Sequence, residues 1–278
     1  AAAAELGFRP IEAQALRALG LLRAIGGDGA AAEQALHDAL WAAEASGDDE
    51  VTANLWLELI QLVGVQWAQP DRAADWFPRA TAAVERRGDD SLRGQLAYVQ
   101  GVMAVRRARH ADAEAYFAAA RAKFEPDQGP ALADTLLMLA VVGIKRDDAA
   151  GADALGAQAL ALYERIYGRD HRKLAAALNS IGLAYMRAGA YDDAAPVLER
   201  ARALQRRIFG ERDLHTAQTM FNLAGIDLER GRARRAIAAL TITHEIYVEQ
   251  LGVAHPRTVV VAETLEEALA PTPVSLGS

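Results

Sequence analysis

The chain has 278 residues, of which 52% are hydrophobic and 6% aromatic, and it carries no cysteine and a formal net charge of -7. The lack of cysteine excludes disulfides and thiolate metal sites, and the negative charge argues against nucleic acid as a partner, because phosphate binding needs a basic surface. No apolar run reaches the roughly 18 residues that a membrane span requires. We therefore expect a bacterial, cytoplasmic protein that contacts neither membrane nor nucleic acid.

Turn-forming sequence recurs along the chain at a regular spacing. In the C-terminal half Gly168, Gly210 and Gly252 lie 42 residues apart. Upstream, SGDDE at 46–50 recurs as RGDDS at 87–91, an offset of 41. A fixed period of this length is the sequence signature of repeat architectures. The chain is therefore predicted to consist of stacked repeats, regular at its C-terminal end and looser before it.

The segments between the turns are roughly 14 to 20 residues long, the length of ordinary globular helices. In one of them Leu174, Leu178 and Ile181 recur at helical spacing on one face. Helices of this kind joined by short turns predict antiparallel hairpins. The predicted parts in chain order are the end of a preceding repeat at 1–9, hairpins at about 10–46, 50–87, 91–125, 131–167, 173–209 and 215–251, a terminal helix at about 256–269, and a tail at 271–278, so that 10–270 form a single array.

Acidic residues and histidines at the predicted turns could be mistaken for chemistry. Because carboxylates at helix starts are explained by capping and by the helix dipole, we interpret them as caps. The residues concerned are Asp71 and the pairs at 48–49, 89–90, 147–148 and 192–193. His171 and His255 occupy equivalent turns, and we predict capping and packing for them. No two of the six histidines are spaced as metal ligands on a helix, so no metal or other cofactor is expected.

The segment LNSIGLAYMRAGAYDDAAPVLERARAL at 178–204 resembles the tetratricopeptide repeat consensus. The residues that carry the resemblance are Ile181-Gly182, Tyr185, Gly189, Tyr191, Ala194 and Ala201. The 42-residue period and the Gly-x-x-His turn are similar to the kinesin-light-chain-like form of the repeat. The resemblance implies an all-α fold, a right-handed superhelical α-solenoid of stacked antiparallel helical hairpins, which binds a protein or peptide.

A second resemblance concerns the parent protein. ALWAAEASGDDEVTANLWLELIQLVG at 39–64, followed by ERRGDD and by these repeats, is similar to the region behind the catalytic domain of large bacterial serine/threonine protein kinases. It implies a regulatory or sensor region of a signalling kinase. The chain itself shows no Gly-rich phosphate loop, His-Arg-Asp loop or Asp-Phe-Gly, so we expect no enzyme activity from it. The alternative parent is a multidomain transcriptional regulator.

In this family the first helix of each hairpin lines a concave groove, and residues off its packed stripe face a ligand. Polar, methionine and aromatic side chains at such positions suit an extended peptide or a partner helix. The candidates are Tyr98, Arg106, Met138, Lys145, Asn179, Arg187, Asn222 and Glu229.

Aromatic residues suggest a different function, self-association. Trp56, Trp67, Trp76 and Phe77 fall close together in the sequence, and aromatic side chains are enriched in interfaces. We therefore consider a homo-oligomer built on a patch of these four residues, with packing in the core as the alternative.

Overall fold

The computed structural model describes residues 9–270, apart from the side chain of Ala149. The predicted tail at 271–278, and all but the last residue of the repeat end predicted at 1–9, lie outside these residues. The described part is helical and contains no β-strand, so the all-α class is confirmed. It divides into an N-terminal unit that ends at Val142 and a C-terminal unit that begins at Gly143. That 10–270 form a single array stays a prediction.

The N-terminal unit is built from helical hairpins of unequal regularity. Helix α1 packs against α2, α3 against α5, and α6 against α7. Helix α3 passes without a break into a π-helical stretch, and a short α4 follows before α5. The bounds are α1 (Arg9–Ile25), α2 (Gly29–Ser46), α3 (Asp49–Ile60), the π-helical stretch (Gln61–Gln66), α4 (Pro70–Ala74), α5 (Phe77–Arg87), α6 (Asp90–Arg106), α7 (His110–Phe124) and α8 (Pro130–Lys145), whose last residues belong to the second unit.

The C-terminal unit repeats its helices at a constant interval. Helix α10 packs against α11 and α12 against α13, while α14 packs on α13. The three second helices of the hairpins have equal length and start 42 residues apart, so their positions can be compared one to one. The bounds are α9 (Ala149–Tyr167), α10 (Arg172–Arg187), α11 (Tyr191–Phe209), α12 (Leu214–Glu229), α13 (Ala233–Leu251) and α14 (Pro256–Leu269).

Most of the predicted aspartate caps are confirmed. Asp48, Asp89 and Asp148 each precede a helix and accept a hydrogen bond from the backbone N–H three residues on, which satisfies an otherwise unpaired helix donor. For Asp71 and Asp192 the helix-start position is confirmed, but the prediction of a side-chain cap was wrong. Asp71 lies in the first turn of α4 and pairs with Arg107 at 2.7 Å. Asp192 lies in the first turn of α11, and neither it nor Asp193 caps that helix.

The equivalent turns of the C-terminal unit use two kinds of cap at one position. The Nδ1 atoms of His171 and His255 accept from backbone N–H groups two residues on, at 3.2 and 3.1 Å. Asp213, at the corresponding position before α12, accepts from the backbone N–H of His215 at 2.8 Å. The capping prediction for the two histidines is therefore confirmed.

Small residues let the paired helices approach closely. A Cβ atom added at Gly182 of α10 would lie only 2.5 Å from Cγ of Leu198 on α11, and one added at Gly101 of α6 would lie 2.6 Å from the ring of Phe117 on α7. Leu198 and Phe117 are fully buried. Because side-chain atoms cannot overlap, these two positions require glycine.

The predicted self-association patch is wrong, because its aromatic residues belong to the core of the N-terminal unit. Trp56 is 4% exposed, and Trp67, Trp76 and Phe77 are half-buried against the same cluster. The indoles of Trp56 and Trp76 lie 6.3 Å apart between ring centroids. The tryptophan that faces solvent is Trp41 on α2, at 69% exposed. The homo-oligomer itself stays an untested prediction.

Candidate functional site

In the N-terminal unit, the predicted groove residue Tyr98 lines a small cavity. Tyr98 lies on α6 and its ring packs on Phe117, 5.6 Å away between centroids. The cavity, of about 180 Å³, is also lined by Gln61, Gln95 and Asp134. Burial, and after it the Asp134 carboxylate, raises the pKa of Tyr98. The phenol therefore stays protonated and can donate or accept a hydrogen bond in the cavity.

The other two candidates of this unit differ in what they can offer a ligand. Arg106 ends α6 and is exposed, but its Nη2 donates to the carbonyl oxygen of Val65 in the π-helical stretch at 2.8 Å. That hydrogen bond gives Arg106 a structural role beside any binding role. Met138, on α8, is half-buried.

Three candidates share one repeat position in the C-terminal unit. Lys145, Arg187 and Glu229 are the last residues of α8, α10 and α12, at intervals of 42. Each lies two residues before a turn residue with positive φ, and Arg106 has the same place in its own repeat. The turn residues are Ala108, Asp147, Gly189 and Gly231, in that order.

The structure brings the positive charges of Lys145 and Arg187 together. Burial, and after it the charge of Arg187, lowers the pKa of Lys145. In the described part of the chain neither side chain makes a hydrogen bond or an ion pair, although most arginines of this chain do. Two like charges held near one another without a counterion favour the binding of an anionic group. Glu229, at the end of α12, is exposed.

The two candidate asparagines belong to a polar cluster on α10 and α12. Thr219 donates to Oδ1 of Asn179 at 3.1 Å. Asn222 is 5% exposed, and Gln218 donates to its Oδ1 at 3.4 Å. The Nδ2 of Asn222 has no hydrogen-bond partner among the described residues. This buried amide is therefore a polar group whose hydrogen-bonding capacity is only partly satisfied within the fold.

Two members of this cluster, Gln218 and Thr219, were not predicted from the sequence. Thr219 is fully buried, and Gln218 also accepts from the hydroxyl of Tyr247 at 3.0 Å. Their counterparts one repeat earlier are Ala176 and Ala177. Polar residues at positions where the preceding repeat has alanine were the signal that could have identified them.

Two further properties bear on function. Among residues 9–270, no helix is both long and apolar enough to cross a membrane. Over the same residues, no group of three or more histidine, aspartate or glutamate side chains is arranged to hold a metal ion.

The comparisons with known proteins agree with this architecture. The Tetratricopeptide repeat family model matches residues 131–203 and 173–247. Residues 131–247 are tetratricopeptide repeats. No curated protein matches the chain.

Several solved structures share the fold of this chain. One is a chain of the APC/C hetero-tetramer Cut9-Hcn1, with 18% identity and a TM-score of 0.67 over 94% of this chain and 44% of that one. A putative kinesin light chain from Podospora anserina has 18% identity and a TM-score of 0.58 over 70% and 93%. A third is a Signal Transduction ATPase with Numerous Domains from Pyrococcus horikoshii, which has a tetratricopeptide repeat sensor. It has 13% identity and a TM-score of 0.64 over 92% of this chain and 41% of that one.

These likenesses show the fold alone, since the identities are low. The chain spans less than half the length of the Cut9-Hcn1 chain.

Proposed function

We propose that the chain is a non-catalytic protein-binding scaffold whose C-terminal unit binds an acidic peptide segment along α10 and α12. The observation that carries this proposal is the uncompensated pair of cations, Lys145 and Arg187, at the ends of the first helices. Charge-assisted hydrogen bonds from such groups to carboxylates are the strong ones in proteins.

The amide of Asn179 supplies the complementary half of the recognition. A peptide backbone presents a carbonyl acceptor at every residue, and the half-buried Asn179 carries a side-chain N–H₂ that can donate to one. The hydroxyl of Thr219 on α12 donates to Oδ1 of Asn179 on α10, which fixes the orientation of this amide. Charged side chains at one end and amides along the helix faces suit an extended segment with carboxylates near its end.

In the N-terminal unit we propose a separate contact surface. Tyr98, Arg106 and Met138 combine a neutral phenol, a cation and a soft apolar side chain. Tyrosine and methionine adapt to varied partners and bury area, which suits a protein ligand.

The test compares two fluorescent peptides of equal length, one acidic and one in which every Asp and Glu is replaced by Asn and Gln. We expect fluorescence anisotropy to show tighter binding of the acidic peptide, falling with added salt. Arg187→Glu together with Asn179→Ala should weaken that binding about tenfold or more, with unchanged helicity by circular dichroism.

The matched control is Arg234→Glu. Arg234 on α13 is also exposed and has no charged partner in the described residues. Equal binding of the two peptides, or an equal loss from the control, would exclude this surface as the site.

We propose further that the scaffold is the regulatory or sensor region of a bacterial, cytoplasmic signalling kinase. The resemblance of 39–64 to such kinases supports this, and the Pyrococcus horikoshii protein, with its tetratricopeptide repeat sensor, is a similar fold in a signalling protein. Phosphorylation by the full-length parent should change when the acidic peptide is added, and the change should disappear with Arg187→Glu. A parent that binds DNA and transfers no phosphate would instead support the transcriptional regulator.

A further inference from the structure

A cleft in the C-terminal unit lies between the second helices α9 and α11, with α10 as its floor. Its volume is about 320 Å³. The floor is formed by the buried side chains of Leu178, Ile181 and Tyr185. The rim carries exposed residues of opposite charge, Asp153 on α9 and Arg200 on α11. The cleft therefore combines an apolar interior with two charged edges.

The room in this cleft comes from one departure from the repeat. Gly156 of α9 occupies the position that Leu198 has in α11 and Leu240 has in α13. Both leucines are fully buried, and Gly156 is buried too. The repeat is thus missing a core side chain where the next two repeats have one. Glycine is also the poorest helix former apart from proline, so it is not there to stabilise α9.

The charged edges are departures from the repeat as well. The counterparts of Asp153 are Ala195 and Ile237, and those of Arg200 are Gln158 and Ile242. Asp153 comes from one repeat and Arg200 from the next. They line the same cleft only because α9 and α11 both pack on α10. Packing alone gives no reason to lose a core leucine and to gain opposite charges on either side of the gap.

Both charges are available to a ligand. The hydroxyl of Tyr185 donates a hydrogen bond to Asp153, which orients the carboxylate and leaves it further acceptor positions. Burial, and after it Asp153, raises the pKa of Tyr185, so that this hydroxyl keeps its proton. Arg200 makes no ion pair or hydrogen bond in the described part of the chain. Its side chain also borders a neighbouring cavity, where Arg207 is already paired with Asp170 at 2.6 Å.

We propose that this cleft binds a hydrophobic α-amino acid, with its side chain in the space left by Gly156, its ammonium group on Asp153 and its carboxylate on Arg200. A guanidinium matches a carboxylate in shape and charge, and a carboxylate accepts from an ammonium. The apolar floor gains stability by covering an aliphatic or aromatic side chain. The volume is at the low end for ligand sites, which suits a molecule of this size and not a nucleotide.

This site is separate from the proposed peptide surface. It is lined by the second helices and by the face of α10 that packs on them, whereas the peptide residues Asn179, Arg187 and Asn222 lie on other positions of the first helices. The two proposals can therefore fail independently.

The first test titrates the whole chain with phenylalanine and leucine, followed by calorimetry and thermal melting. Three analogues each remove one part of the recognition: 3-phenylpropanoate lacks the ammonium group, phenethylamine lacks the carboxylate, and alanine lacks the bulk. We expect phenylalanine or leucine to bind and to raise the melting temperature, with each analogue at least about tenfold weaker. Equal binding of phenylpropanoate, or no binding of either amino acid at millimolar concentration, would overturn the proposal.

The second test uses variants that install residues the array already has at the same position. Gly156→Leu, Asp153→Ala and Arg200→Gln should each abolish or weaken phenylalanine binding at least about tenfold. Gly156→Leu should also raise the melting temperature, because leucine is a better helix former and fills the cleft.

The control is Arg234→Gln, which should leave phenylalanine binding unchanged. Unaltered affinity in Gly156→Leu would contradict the proposal. Should that variant fold poorly, Arg200→Gln decides the matter, because it alters an exposed side chain. Acidic-peptide binding, measured on the same variants, should not change.

Discussion

The two units use the same helical hairpin but differ in how strictly they repeat it. In the C-terminal unit the helices α9, α11 and α13 have equal length and a constant spacing, and alanine and leucine fill most of the shared core positions. In the N-terminal unit Trp56 joins alanine and leucine in the core, partly buried aromatic residues pack against it, and the second hairpin is broken by a π-helical stretch and by the short α4. Similar side chains at equivalent core positions allow exact repetition, whereas a close contact that the other repeats lack requires a local adjustment of the backbone.

The π-helical stretch shows such an adjustment. A Cβ atom added at Gly64 in this stretch would lie 2.7 Å from Sδ of Met103 on α6 and 2.8 Å from Cβ of Ala73 on α4. The backbone of the stretch therefore contacts two other helices directly. A longer side chain there would separate α3 from α6.

The largest effect is expected from removing an aromatic core residue of the N-terminal unit. Trp56→Ala should lower the free energy of unfolding by about 3–5 kcal/mol, because Trp56 is 4% exposed and its removal leaves a cavity. Urea unfolding measures the loss, with Trp41→Ala as the exposed control, expected within about 0.5 kcal/mol of the wild type. Light scattering on both variants tests self-association through the aromatic patch. A lower molecular mass for Trp56→Ala, with unchanged stability, would support an interface at that patch.

A reciprocal exchange of turn residues should give effects of intermediate size. Ala108 has φ 56° in the N-terminal unit, where Gly189 of the C-terminal unit has φ 77°. Because left-handed backbone is unfavourable for residues with a Cβ, Ala108→Gly should stabilise and Gly189→Ala destabilise, each by about 1 kcal/mol. Urea unfolding of the two single variants would show opposite signs; a shared sign would mean that the turns are not equivalent.

The third comparison concerns alkaline pH, and its effect is absent at neutral pH. Burial raises the pKa of Tyr98 and of Tyr185 above their ordinary value of 10.0, so the unfolded chain loses these protons at lower pH than the folded one. Their contribution to stability is complete below pH 10 and is lost as the pH rises above it, by at most about 1.4 kcal/mol per pH unit for each tyrosine. Tyr98→Phe and Tyr185→Phe should each make stability less steep between pH 10 and 11 in urea titrations. An unchanged slope would show that the tyrosine concerned ionises equally in both states.

Much of the fold could be predicted from the sequence because its turns repeat. The 42-residue interval of Gly168, Gly210 and Gly252 and the tetratricopeptide residues at 178–204 were sufficient for the all-α repeat fold, and the caps Asp48 and His171 followed from their places before helices. The π-helical stretch could not be predicted, since Gln61–Gln66 continues an ordinary helical pattern. Its cause is contact with distant residues.

The candidate sites were harder to predict, for a different reason. The sequence identified which residues lie on the first helices, but not which of the charged ones have a hydrogen-bond or ion-pair partner. Arg106 donates a hydrogen bond to a backbone carbonyl, while Lys145 and Arg187 have no partner in the described residues. The cleft beside Gly156 could have been suspected by comparing three repeats. That Asp153 and Arg200 border the same space depends on how two helices pack on a third.

The missing side chain at Gly156 has a consequence for local motion. In a repeat array the stability of each segment is close to the sum of its own folding free energy and that of its contacts with immediate neighbours. A glycine in place of a buried leucine weakens both quantities for α9, so opening should be more frequent there than in α11 or α13. Amide hydrogen exchange should therefore be faster in α9 than in α11 or α13. A molecule bound between Asp153 and Arg200 would slow that exchange. Ligand binding in this cleft would thus make the repeat around α9 more rigid.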